Sequence, residues 1–353
     1  MGKLLSDEIS LTFDDVFIIP QYSEILSRNN IDTWTNVGDD IGLNVPLIAT
    51  PMDTICEKEM AIALGKLGGM GTIHRFMSID EQIAQVNETL NYVGEYHLAA
   101  AVGVGKGDRE RIVRLCQETN IKILNVDIAH GHHLLMKDTI KAIKAGFNDE
   151  IHIMAGTVCT AEAVKDLIEW GANSIQVGVG NGSLCTTRIK AGVGVPQFTA
   201  LRQCALAAHG TGVSIISNGG CKSPGDIAKA IAAGASAVVV GSLFAGTKET
   251  PGEIRKTGTW PNETLYKAYR GSASADSKSA RGEKTNIEGT SQVVLYRGKV
   301  KRIVDDVMDG LRSSMSYTGA LTIQEFQHKA IFNRVSQAGL NEAQPHGLGR
   351  NCL

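Results

Sequence analysis

The chain has no paired cysteines, no excess of either charge and no long apolar run, and each absence removes a class of answers. Its seven cysteines, Cys56, Cys116, Cys159, Cys185, Cys204, Cys221 and Cys352, are odd in number, widely spaced and free of any CxxC pair. Neither a zinc site nor a disulfide framework follows from them. Lys and Arg total 35 against 37 Asp and Glu, a formal charge of -2, and the basic residues are scattered, so no nucleic-acid partner is expected. No apolar stretch reaches the length of a bilayer crossing, and residues 1–15 lack the basic and apolar regions of a signal peptide. No membrane partner is expected either, and the expected location is the cytoplasm. What remains is 353 residues, 43% of them apolar, enough to bury a large core.

That core has a rhythm. Short apolar runs that read as buried strands recur at 46–52, 69–73, 98–104, 123–129, 151–158, 174–179, 213–217 and 237–241, each followed by turn chemistry. Between them lie segments of helical period at 57–67, 79–90, 108–118, 134–144, 160–170, 198–209 and 223–233, several ending in Gly-Ala or Gly-Gly as a left-handed cap requires. Continuously apolar strands alternating with helices imply a parallel sheet covered on its outer face. Eight such units favour an α/β fold of the closed (β/α)₈ barrel type, one domain spanning 1–353. Helical period returns at 300–311 and again at 323–335. Residues 9–20 mix apolar and acidic side chains in the manner of an extended lid, and from 247 to about 298 the pattern lapses into a polar stretch that reads as a structureless active-site flap, about 272–298.

In a barrel of this kind the chemistry sits on the loops after the strands. The loop after the sixth strand is the most unusual. Gly178, Gly180 and Gly182 lead into Ser183-Leu184-Cys185-Thr186-Thr187-Arg188, so a flexible turn presents a thiol between hydroxyl neighbours and can aim its carbonyls or amides at an ion or phosphate. Gly219-Gly220 ahead of Pro224, and Gly241-Ser242 after the eighth strand, read as a phosphate cradle at a helix start. Asp53 and Thr54, His74 and Arg75, Gly103 to Gly107, Asp127, Thr157 and Asn218 fall on the same face. His130, His132 and His133 lack a carboxylate or thiol at a spacing that completes a metal shell. A polar loop at the barrel mouth is the expectation there.

Together these segments resemble a known family. Leu11-Thr12-Phe13-Asp14-Asp15-Val16, Met52-Asp53-Thr54, His74-Arg75, Asp127-Ile128-Ala129-His130-Gly131-His132, the Cys185 loop with Gly192-Val193-Gly194-Val195-Pro196-Gln197, Tyr269-Arg270-Gly271-Ser272 and Gly310-Leu311-Arg312-Ser313-Ser314-Met315 resemble the inosine monophosphate dehydrogenase and guanosine monophosphate reductase family over residues 9–335. The family fold is the same barrel. Dehydrogenases usually carry a cystathionine-β-synthase-type pair after the second helix and an Arg-Tyr dyad on the flap, and this chain has neither. Gly282 to Gly289 resembles bacterial guanosine monophosphate reductases instead. The resemblance therefore implies NADPH-dependent reductive deamination of GMP, or of a deoxy or base-modified guanine nucleotide. An insertion-free dehydrogenase oxidising inosine monophosphate with NAD, and a nucleotide-binding homologue without turnover, are the alternatives.

By resemblance, Cys185 is the nucleophile, and Thr187 with Glu288 relays a proton to the departing ammonia. Ser183, Gly220, Gly241, Ser242 and Tyr269 match phosphate ligands, with Met52, Asn218, Gly219, Gly271 and Ser272 completing the nucleotide site. Asp127, Ala129, Gly178 and Gly180 face the cofactor. The carbonyls of Gly180, Gly182 and Cys185 would hold a monovalent cation such as K⁺, and the expected assembly is a homotetramer. Four positions depart from the family pattern: Thr157 stands where it has Asn, Gln176 where it has Lys or Arg, Asn181 where reductases have Pro, and Asn218 where an Asp holds the ribose hydroxyls. All four lie at strand ends, so they bear on which nucleotide is taken.

Overall fold

A computed structural model describes residues 9–345 except 40, 260 and 261; Cys352 and residues 1–8 lie outside the described residues. Eight parallel strands form one sheet: β1 (Leu47–Ala49), β2 (Gly71–Ile73), β3 (Leu98–Val102), β4 (Ile123–Asp127), β5 (His152–Val158), β6 (Ser174–Val177), β7 (Ser214–Asn218) and β8 (Ala237–Val240). They pair in sequence order, and β8 pairs in parallel with β1. The ring closes through a bridge from Ile48 to Met70, where Ala49 N donates to Met70 O at 2.9 Å and Met70 N to Leu47 O at 3.0 Å. Strand β1 is shorter than its apolar run because Pro46 and Pro51 flank it and have no N–H to add to the ladder.

The helices between strands are α1 (Lys58–Lys66), α2 (Ile79–Leu90), α3 (Lys106–Glu118), α4 (Leu134–Phe147), α5 (Ala161–Trp170), α6 (Gln197–Ala208) and α7 (Pro224–Ala232), with α8 (Val300–Tyr317) after the last strand. Their ends follow local chemistry. Ser78 and Glu81 close a reciprocal capping box at the start of α2, and Gly171 ends α5 at φ 109°, a left-handed turn that glycine adopts without strain. Only residues 91–97 separate α2 from β3, so no regulatory insertion sits there.

The bore of the barrel is layered by the two-residue period of its strands. Its lower part is dry: Ile48, Met70, Ala99, Ile123, Met154, Ile216, Ala237 and Val239 cluster there, and the turn joining the Thr35–Asn36 and Gly42–Leu43 strands plugs it with Val37, Ile41 and Leu43. Two residues further along, Ile123 of β4 gives way to Asn125 and Ile216 of β7 to Asn218, with Gln176 of β6 hydrogen-bonded between them. The functional end of the barrel therefore begins with a buried polar layer.

Three segments differ from the sequence expectation. Residues 9–20, expected as an extended lid, are anchored to the barrel: Phe13 and Val16 are buried, Leu11 exchanges hydrogen bonds with Thr199, and Val16–Ile18 pairs antiparallel with Phe332–Arg334. That pairing also ends the helix predicted at 323–335 after Lys329. The polar stretch is not structureless, since β9 (Arg255–Thr257), β10 (Thr264–Arg270) and β11 (Ser291–Leu295) form an antiparallel sheet, with a short helix, Ala275–Ala280, between β10 and β11. Its outer strands are largely solvated, with Val293 59% and Leu295 57% exposed, so no buried face wrote an apolar alternation into the sequence. At its root Lys267 is 1% exposed, and its ammonium donates to the carbonyls of Thr247, Lys248 and Thr250.

Helix α1 lies close enough on β2 that a Cβ on Gly71 would fall 2.4 Å from the Cα and Cβ of Ala61. Gly71→Ala must push the helix off the sheet and is expected to cost about 1–3 kcal/mol, the range for overpacking. Urea unfolding of both proteins measures it; an unchanged midpoint would contradict this packing.

Candidate active site

The Cys185 loop is shaped by its glycines and tied down at both ends. Gly178 turns at φ 155°, and a Cβ there would lie 2.0 Å from the carbonyl oxygen of Asn218, so only glycine lets the loop leave β6 this close to the end of β7. Asn181 Nδ2 donates to that same carbonyl at 2.8 Å, and the Arg188 guanidinium donates to the carbonyls of Val179 and Val195 at 3.1 and 2.5 Å. The thiol is thus held on a braced turn.

The flap meets this turn directly. Thr186 N donates to Glu288 O, Thr290 N to Leu184 O, and Gly271 N to Thr290 O, at 2.9, 2.9 and 3.0 Å, while Cys185 bridges Gly289. Side chains follow the backbone: the Cys185 thiol donates to Thr187 Oγ1 at 3.2 Å, and Thr187 Oγ1 donates to Glu288 Oε2 at 2.6 Å. A continuous hydrogen-bonded path therefore runs from sulfur to carboxylate. Lys190 Nζ on Ile287 O, at 2.6 Å, fastens the same segment from the other side.

Against Ser183 and Arg188 of the same loop lies a cleft of about 250 Å³, lined also by Gly220, Ser242, Asn181 and Lys222 among others, and bounded by Thr12 to Asp14. Lys222 reaches across it to Asp14 at 2.5 Å. Ser183 Oγ and Tyr269 Oη are 2.9 Å apart, and a Cβ on Gly241 would sit 3.4 Å from Tyr269 Oη and 3.8 Å from Met52 Sδ. Burial raises the Tyr269 phenol, countered by the Ser183 hydrogen bond, so the group stays a neutral hydroxyl. Gly219, Gly271 and Ser272 do not line the cleft: Gly271 packs near Leu184, and the Ser272 carbonyl accepts from Arg281 at 2.9 Å. Of the expected nucleotide residues, Ser183, Gly220 and Ser242 share this cleft, and Tyr269, Gly241 and Met52 lie together next to Ser183.

The expected cofactor residues divide: Gly178 and Gly180 belong to the Cys185 loop itself, whereas Asp127 and Ala129 form a separate ledge. Asp127 ends β4 half-buried, its carboxyl pushed up by burial and held back by the nearby Arg75, and Ala129 is exposed beyond it. The loop is joined to the end of β5 through Gly131 N on Thr157 O and Thr157 Oγ1 on Ala129 O, at 2.7 and 3.4 Å. Among the described residues no hydrogen bond links Asp127 or Ala129 to the Cys185 loop. His132 is spoken for by Asp166 at 2.7 Å, and no group of three or more His, Cys, Asp and Glu positioned for a metal occurs among the described residues. For a monovalent cation, Gly180, Gly182 and Cys185 offer neutral carbonyl oxygens of the kind alkali ions take; that of Gly182 also accepts from Cys185 N at 3.0 Å.

Several working residues escaped the sequence reading. Arg270 grips Asp53 at 2.8 Å, Arg281 packs over the Phe76 ring at 4.2 Å, and both pin the flap to the rim of β1 and β2. Asn125 was hidden inside a strand run, although a polar residue at an inward position two before Asp127 is a usable signal. Burial pushes the thiols of Cys56, Cys116 and Cys204 up to about 12, raises Cys159, and raises Cys221 well above the ordinary value. Among the six described cysteines, iodoacetamide at neutral pH is therefore expected to label Cys185 first, and Cys185→Ala to remove that phase. Peptide mapping by mass spectrometry checks this; faster labelling of Cys116 or Cys159 would contradict it.

Comparison with known proteins agrees with this geometry. A family model of the IMP dehydrogenase / GMP reductase domain matches residues 10–346. The inosine-5′-monophosphate dehydrogenase of Cryptosporidium parvum is 37% identical over 390 aligned positions, covering 96% of this chain and 95% of that one, and the Aquifex aeolicus enzyme of the same name is 33% identical over 474, again covering 96% and 95%. The crystal structure of a substituted GMP reductase from Trypanosoma brucei in complex with guanosine 5′-monophosphate superposes with a TM-score of 0.91 at 30% identity, over 98% of this chain and 99% of that one. The chain belongs to the IMP dehydrogenase / GMP reductase family, whose members are oxidoreductases of purine nucleotides.

Proposed function

We propose that the protein is a guanine nucleotide reductase, converting GMP or its 2′-deoxy counterpart to the inosine-type nucleotide with release of ammonia, at the expense of NADPH. One observation carries the reading: the Cys185–Thr187–Glu288 path places a carboxylate from the flap within relay distance of the thiol. Loss of the thiol proton along it leaves a sulfur nucleophile, which adds to the electrophilic C2 of the purine. The C2–N bond then breaks. Ammonia leaves readily only when the amine is protonated, and the proton stored on the Thr187–Glu288 pair is available for that. The sulfur stays bound to C2 as a thioimidate until hydride replaces it and the Cys185 thiolate is released.

Ser183, Gly220, Gly241, Ser242 and Tyr269 would hold the phosphate, in the cleft beside the thiol. Asp127 and Ala129, with Gly178 and Gly180, would hold the nicotinamide end of NADPH, since a half-buried carboxyl on an open ledge can accept from a carboxamide. A nicotinamide bound there supplies the hydride. The Gly180, Gly182 and Cys185 carbonyls would hold K⁺ and stiffen the loop. The setting we propose is a cytoplasmic homotetramer. A dehydrogenase reading is favoured by the names of the curated relatives, and opposed by the absence of an Arg-Tyr dyad from 272 to 298.

The decisive experiment gives the pure protein GMP or dGMP with NADPH, and separately inosine monophosphate with NAD. Asn218 offers the sugar an amide where a carboxylate would accept from both hydroxyls. Losing one charged hydrogen bond, about 1.5–3 kcal/mol, removes about ten- to a hundredfold of ribose preference. NADPH oxidation with ammonia release is therefore expected from both nucleotides at comparable kcat/KM. NAD reduction by inosine monophosphate alone would overturn the reading.

Glu288→Gln keeps the shape of the path but removes its carboxylate. Release of ammonia in a single turnover is expected to slow by about a hundredfold or more, the range for a positioned acid-base group. Hydride transfer to preformed thioimidate should suffer less. Equal slowing of both steps would show that Glu288 shapes the cofactor ledge instead.

A further inference from the structure

The polar layer of the bore consists of uncharged amides joined in series. Asn125 is fully buried, Gln176 is 1% exposed, and Asn218 at the end of β7 is half-buried. Asn218 Nδ2 donates to Gln176 Oε1 at 2.6 Å, and Gln176 Nε2 donates to Asn125 Oδ1 at 3.1 Å. The two ends of an amide have nearly the same shape, so a chain of them can run in either direction and something must choose. Met154 on β5 chooses. Its thioether sulfur, which can only accept, lies 2.8 Å from Gln176 Nε2. Turning Gln176 over would set a carbonyl oxygen against that sulfur, lone pair to lone pair. Gln176 therefore shows its oxygen to residue 218, Asn218 answers with its NH₂, and Asn218 Oδ1 has no hydrogen-bond partner among the described residues. Asn181, donating to the Asn218 carbonyl, holds the same strand end from the side of the Cys185 loop.

We infer that Gln176 is a positioning residue for sugar selectivity: with Met154 it holds Asn218 so that a single acceptor oxygen meets the nucleotide's sugar, one hydroxyl satisfies it, and a 2′-hydroxyl is not required. The inference rests on the nucleotide reading above and deepens it. Residue 218 is braced from the thiol loop and directly precedes Gly219-Gly220, which places it between the base and the phosphate cleft. It also follows that charge alone does not restore ribose preference. Asn218→Asp sets a carboxylate oxygen against Gln176 Oε1, acceptor to acceptor, and relief requires Gln176 to turn against Met154. Gln176→Lys lifts that conflict because an ammonium only donates.

The test measures Kd for GMP and dGMP by calorimetry on the full chain, for the parent, Asn218→Asp, Gln176→Lys with Asn218→Asp, and Met154→Leu, with thermal melts confirming that each is folded. The parent ratio is expected near one. The double variant should favour GMP by about ten- to a hundredfold, with Asn218→Asp alone falling well short of it. Met154→Leu, of similar volume but without an acceptor, lets the amides reverse and should move the ratio toward GMP; it carries the test if the lysine variant does not fold. A strong GMP preference in the parent, a double variant no different from Asn218→Asp, or an unmoved ratio in Met154→Leu would each overturn the inference. Because the readout is binding, a protein that binds both nucleotides without oxidising NADPH sinks the reductase reading and leaves this one standing; failure to bind either sinks both.

Discussion

The 2.6 Å hydrogen bond from Thr187 to Glu288 joins positions 101 residues apart, and the site has no meaning without it. The thiol sits on a loop that the barrel positions, whereas the carboxylate sits on a flap whose sheet is largely solvated. Neither makes the hydrogen-bonded path alone. Backbone pairing of residues 271, 288, 289 and 290 with the loop and with one another gives the flap one register against the thiol, so main-chain hydrogen bonds hold the path from sulfur to carboxylate in place. Asp53 and Phe76, gripping Arg270 and Arg281, hold the far side of the same segment to the barrel rim.

What the sequence made legible follows from burial. Parallel strands covered on both faces read as unbroken apolar runs, so all eight appeared at nearly their observed places, and helix ends appeared where Ser78 or Gly171 carry their own capping chemistry. The flap sheet left no such trace, because Val293, Leu295 and Leu265 are exposed and the strands are held by each other's backbone. The N-terminal segment misled for a related reason: its acidic residues are solvated, but Phe13 and Val16 are core, and its strand partner lies at the far end of the chain, at Phe332–Arg334. No local pattern encodes that pairing.

The site divides along similar lines. Cys185, Thr187 and Glu288 could be named from motifs, but the amide chain could not, because Asn125, Gln176 and Met154 come from three strands and only closure of the barrel brings them together. Taken singly, Gln176 and Asn218 look like isolated substitutions in a familiar pattern. Taken together they are one uncharged unit, and a buried polar layer of this kind avoids the desolvation cost that a buried ion pair would carry.

Lys267, at the root of the flap, holds three carbonyl oxygens with an ammonium in the way a loop elsewhere might hold a dissolved alkali ion. A cation tethered by its own side chain has no dissociation constant in the ordinary sense; its local concentration does not fall when the medium is diluted. The junction where β8 hands over to the flap is therefore held by a charge that belongs to the chain, and its cohesion draws on no ion from the medium.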